Sequence, residues 1–171
     1  MNRALLQSSL LLLLGCAAPM VLADGKKDNN PFEMTKEEQG LFDLLNKERA
    51  HKDLPALRPN PLLFQAARRH SANMAKQRKM EHLLDGKRPS QRIAAAGYNW
   101  AKVSENLAIA EVDEPPLTAI VKGWMDSKTH RENLLDKGVT ETGLGSARND
   151  KGEIYYTQVF ARPRRPAKPS N

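Results

Sequence analysis

A single cysteine, Cys16, occurs in this sequence of 171 residues, so no internal disulfide can form and stability must come from packing. Long apolar runs are equally scarce. The run Leu10 to Leu14 is too short to cross a bilayer as a helix. No glycine-rich phosphate loop is present, which argues against a nucleotide ligand. Nor is there an H-E-x-x-H zinc helix, because no second histidine follows "HREN" one turn later. Without internal repeats or a second hydrophobic block, the chain reads as one domain.

What is present begins with an export signal. Residues 1–23 carry Arg3, the short apolar run and small residues at Val21 and Ala23, a signal-peptidase pattern that would release the chain before Asp24. "LLGC" ending at Cys16 resembles a lipobox, and on that alternative Cys16 becomes a lipidated N-terminus. Either route delivers the protein, secreted or bound to the cell envelope, to an oxidising compartment, with no transmembrane helix expected in the mature chain.

The formal charge is +7. On an exported protein this balance points to an anionic envelope polymer or lipid headgroups, or to a solvated basic surface with no specific partner. Much of it sits in the tail "RPRRPAKPSN", whose prolines exclude helix. The expected organisation is a signal peptide (1–23), a flexible linker (24–35), a folded domain (36–163) and a basic, proline-rich tail (164–171).

Helix signals dominate the first two thirds. "TKEE" sets Thr35 three residues before Glu38 as a capping box, with Leu41, Leu44, Leu45 and Glu48 at helical spacing up to about His51. Asn60 and Pro61 open a second helix with Leu63, Ala66, Ala67, His70 and Met74 on its apolar face. His70 is therefore expected as a hydrogen-bonded core histidine. Ser71 beside it points elsewhere, so the two cannot form a nucleophile and base pair. "PSQRIAAAGY" predicts a third helix ending near Gly97, and "PPLTAIVKGWMD" a fourth with a core stripe of Leu117, Ile120, Val121, Trp124 and Met125.

The C-terminal third reads differently. "TGLGSARND" and "GEIYYTQVFAR" flank a turn at residues 149–152 and predict an antiparallel hairpin. Helices followed by strands imply an α+β domain.

Three polar segments, "KMEHLLDG", "VSENLAIA" and "WMDSKTHRENLL", each place a metal-capable or acid/base group in a structural stretch: His82, Glu105 and His130. Each has an ordinary alternative. The histidines can be hydrogen-bonding loop residues, and Glu105 can satisfy loop amides. His130 can simply follow Thr129 as cap of a short "THREN" helix with Glu132 as its box partner.

Taken in order, "LLNKERAHKDLPALRPNPLLFQAARRHSANMA", "SENLA", "GWMDSKTHRENLL" and "YYTQVFA" resemble the CAP superfamily of cysteine-rich secretory, antigen 5 and pathogenesis-related 1 proteins, in particular its short bacterial SCP-like members without disulfides. The resemblance implies a three-layer α-β-α sandwich with a central antiparallel sheet. It also implies a cleft lined by two histidines and two acidic residues, falling here on His82, Glu105 and His130, with Ser127 at the fourth position. One acid is thus missing.

His82, His130 and Glu105 could supply a three-ligand site for a divalent metal such as Zn²⁺. Loss of the second carboxylate, unless Ser127 or Asp126 substitutes, makes hydrolysis less favoured than binding. Ser104 replaces the usual glycine before the Glu-Asn pair, which predicts strain if that position needs positive φ.

Three function classes follow. The first is a non-enzymatic binding module whose cleft takes a divalent metal and an envelope, lipid or peptide ligand. The second is a metal-dependent hydrolase, a peptidase or nuclease. The third is a structural or adhesive envelope protein acting through its basic surface.

Overall fold

The computed structural model describes residues 32–111 and 115–165. The expected signal peptide, the lipid-attachment alternative at Cys16 and residues 166–171 of the tail lie outside the described residues.

Helix α1 (Lys36–Ala50) starts as its capping box dictates. Thr35 Oγ1 accepts from the Glu38 amide at 3.2 Å, and Glu38 Oε2 accepts from the Thr35 amide at 2.9 Å. Its buried stripe is Glu38, Leu41, Leu45 and Arg49. Helix α2 (Pro61–Gln77) is capped by the Asn60 side chain and ends on Arg78 in the left-handed conformation. Helix α3 (Pro89–Ala95) is short and begins at its proline. Helix α4 (Leu117–Asp126) buries Ile120, Val121 and Trp124. Helix α5 (Lys128–Leu134) follows after one residue, so Ser127 serves both ends. Thr129 is therefore inside the helix and is not the expected cap.

The four strands are β1 (Arg58–Pro59), β2 (Trp100–Ala110), β3 (Glu141–Arg148) and β4 (Ile154–Pro163), in the order β1-β3-β4-β2. The expected hairpin is β3 and β4, antiparallel from Glu141↔Ala161 to Arg148↔Ile154. The sheet is antiparallel except at the two-residue β1, which runs parallel to β3. Ser104 sits within β2 opposite Phe160 and is not among the positive-φ residues, so the expected strain is absent.

Period-two alternation sends β4 residues to opposite layers. Ile154, Tyr156 and Phe160 pack with Leu41, Leu45, Trp124 and Leu134 on the α1, α4 and α5 side. Val159 and Ala161 pack with Leu63, Ala66, Ala67 and Ile93 on the α2 and α3 side. The result is the three-layer sandwich, and the described residues from Phe32 to Arg165 form a compact unit containing these cores. Part of the expected linker belongs to it. Phe32 and Met34 pack against the core, with the Phe32 and Phe64 ring centroids 4.8 Å apart. At the other end Arg164 is tied to the sheet through the Asn99 and Trp100 carbonyls.

Arg49 locks α1 to α5. Its guanidinium is buried and donates to the carbonyls of Pro55, Leu134 and Asp136 at 2.8–3.0 Å. Arg49→Met keeps the apolar stem but leaves those acceptors unpaired, so urea denaturation should show a loss of about 2–3 kcal/mol.

A carboxylate at the edge of the sheet

Edge strand β2 carries Glu105 and Asn106, whose side chains project to opposite faces. Glu105 is buried on the α2 and α3 side. Arg92 of α3 clamps it, its Nη2 donating to Oε1 at 2.9 Å and Oε2 at 2.7 Å. His82 Nδ1 lies 2.9 Å from Oε1, and His70 Nε2 lies 3.8 Å from the same oxygen. Asn106 faces α5. Its Nδ2 donates to the His130 carbonyl at 3.0 Å, and its Oδ1 accepts from Asn133 at 3.0 Å. The adjacent pair thus holds both histidine-bearing segments, Glu105 the loop with His82 and Asn106 the helix with His130.

The loop between α2 and α3 is fixed at several points. Asp85 and Gly86, both at positive φ, form a tight turn bridged by Leu84 and Lys87. Arg92 Nη1 also donates to the carbonyls of His82 and Lys87. His82 is thereby oriented through Nδ1 while its side chain remains 53 % exposed.

His130 is partly buried, and burial followed by the nearby His82 holds its pKa below the ordinary value. Ser127 makes no capping bond, and the exposed Asp126 carboxylate pairs with Lys122.

Sequence reasoning missed Arg92. A carboxylate expected in a cleft needs a counter-charge, and an arginine beside buried Ile93 on a short helix was the signal available. His70 is buried as expected, with Nε2 3.1 Å from the Glu81 carbonyl, and it also completes the ring of groups around Glu105. Ser71 bonds Gly145 and Thr157 instead of His70.

Bonding to a carbonyl fixes the proton of neutral His70 on Nε2. Burial, outweighing attraction to Glu105, lowers its pKa from 6.5 to about 4. The unfolded chain therefore binds more protons between those values. Stability should be intact above pH 6.5 and fall as pH drops toward 4, by roughly 3 kcal/mol. Urea melts across this window should show the slope, and His70→Gln should flatten it.

A three-ligand metal site fits this arrangement poorly. Both oxygens of Glu105 are engaged by Arg92, and among the described residues no three His, Cys, Asp or Glu side chains are grouped to hold an ion.

The profile of the cysteine-rich secretory protein family, CAP, matches residues 42–160. The chain belongs to this family. YkwD of Bacillus subtilis (strain 168) is 27% identical over 133 residues, covering 77% of this chain and 50% of YkwD. The membrane protein YlbC of the same organism is 31% identical over 128 residues, covering 74% of this chain and 34% of YlbC. The chain thus spans half or less of these curated relatives. Among solved CAP-type folds, an outer surface protein of Borrelia burgdorferi superposes with a TM-score of 0.71 at 20% identity, covering 78% of this chain and 97% of that one. An extracellular SCP-domain protein of Bacillus anthracis gives 0.63 at 28%, covering 77% and 45%. An extracellular SCP-domain protein is thus among the similar chains, and no described helix of this CAP domain is long and apolar enough to cross a membrane.

Proposed function

We propose that this CAP domain is an exported binding module whose cleft, between His82 and His130, captures a polar envelope, lipid or peptide ligand without turnover. Export would end in release after Ala23 or retention through lipid on Cys16. One observation carries the reading: the Glu105 carboxylate is neutralised by Arg92 and hydrogen-bonded to His82. A carboxylate held in this way is a poor general base and a poor metal ligand. It serves instead to aim an exposed imidazole at whatever enters the cleft.

A hydrolytic reading draws on the same pair. An imidazole fixed through Nδ1 by a carboxylate leaves Nε2 free to take a proton, the orientation used by general bases. Zn²⁺ held by His82, His130 and Glu105 would require Glu105 to leave Arg92. An adhesive role through the basic surface needs neither histidine.

Native mass spectrometry with metal analysis of protein from its own host, beside a His82→Ala/His130→Ala variant, separates these readings. The binding module predicts a co-purifying organic ligand that the variant loses, with no stoichiometric metal. A stoichiometric metal lost in the variant would instead support the metalloenzyme reading. An adduct retained by the variant but removed by salt would support the adhesive reading.

A further inference from the structure

The loop joining α2 to α3 turns two large apolar side chains to the surface while several of its polar groups bond back to the fold. His82 reaches Glu105, Asp85 accepts from Asn73 and Gln77, and the Glu81 carbonyl meets His70. Leu84 is buried beside Met74 and Leu107. With those anchors set, Met80 and Leu83 are turned out, 45% and 53% exposed. Scattered exposed apolar residues are ordinary. Here, however, two of the three large exposed apolar side chains among the described residues flank His82 on one rigidly anchored loop.

The same loop carries three cations, Lys79, Lys87 and Arg88, against two exposed carboxylates, Glu81 and Asp85, the latter accepting from Asn73 and Gln77. Lys79, Lys87 and Arg88 are exposed and form no ion pair with the described residues. Beside the turn lies a cavity of about 270 Å³ between α2 and α3, with Arg69 and Lys87 at its walls and Ala66, Ala95 and Ala96 leaving the space. Its volume suits a headgroup-sized anion better than an acyl chain. Apolar side chains beside the cations Lys79, Lys87, Arg88 and Arg69 match an anionic bilayer, which offers phosphates at the surface and hydrocarbon just beneath.

We infer that the loop of residues 79–88 docks this domain on anionic lipid, with Met80 and Leu83 entering the acyl boundary and Arg69, Lys79, Lys87 and Arg88 meeting lipid phosphates. Docking brings His82, which lies between the two inserting residues, to the membrane surface. It does not depend on what the cleft binds.

The test uses residues 32–171, which carry their own core, and vesicles of phosphatidylcholine with or without phosphatidylglycerol. Wild type should co-sediment only with the anionic vesicles. Met80→Ser/Leu83→Ser should weaken that binding about tenfold, and Arg69→Ala/Lys87→Ala should weaken it and flatten its salt dependence. Both variants change exposed side chains and should melt as wild type does. An environment-sensitive dye on Leu83→Cys should shift to the blue with anionic vesicles, while one on Gln65→Cys should not. The proposal is overturned if wild type ignores anionic vesicles. It is also overturned if the Met80/Leu83 variant binds as well as wild type, which would assign binding to the basic tail, or if the Leu83 dye stays in water while the protein is bound.

Discussion

Gly143→Ala should prevent stable folding. A Cβ built at Gly143 would sit 2.1 Å from the Leu63 carbonyl carbon and 2.3 Å from the Phe64 amide nitrogen. These are backbone atoms at the start of α2 and cannot turn aside as a side-chain tip could. Helix α2 would have to lift from β3, opening the layer that buries Leu63, Phe64 and Ala67. The expected loss exceeds about 4 kcal/mol, in the range of severe overpacking. Circular dichroism should find no cooperative melt near the wild-type temperature. Gly145, whose added Cβ would approach Arg68 N to 2.4 Å, should behave alike. Glycine normally weakens a strand; here two glycines let a helix lie directly on the sheet.

Arg92→Ala has the second-largest expected effect. It removes both guanidinium bonds from a buried carboxylate and two donors that hold the His82 loop. Stripping one partner from a buried pair typically costs about 3–5 kcal/mol, because the remaining charge is left uncompensated. Arg92→Ala/Glu105→Gln should recover part of that loss, since no charge then remains to be paired. If the single variant were as stable as wild type in urea, Glu105 would not depend on Arg92.

Much of this architecture is legible in the sequence. The capping box at Thr35, the Asn60-Pro61 start and the Trp124 stripe give α1, α2 and α4 directly, because local chemistry decides those elements. Strand β2 is less visible. Val103, Leu107 and Ile109 alternate properly, but Glu105 interrupts the apolar face at the place where the site lies. Strand β1 has only two residues, and its pairing with β3 depends on long-range approach. In the site, His82 and Glu105 are brought together and His130 is fixed nearby. The clamp by Arg92 could not be read from spacing, because α3 and β2 meet only in the folded chain. The same clamp bears on how Glu105 can act, because both of its oxygens are already bonded to Arg92.

Glu105 should stay with Arg92 and His82 when a metal is offered. Long-range ¹H–¹⁵N spectra of the histidine rings, recorded while Zn²⁺ is added to the folded protein, test it most directly. His82 should keep its proton on Nδ1 toward Glu105, His70 should keep its proton on Nε2, and no stoichiometric endpoint should appear. A sharp one-to-one endpoint, with His82 and His130 shifting together and the Arg92 guanidinium signal released, would contradict it.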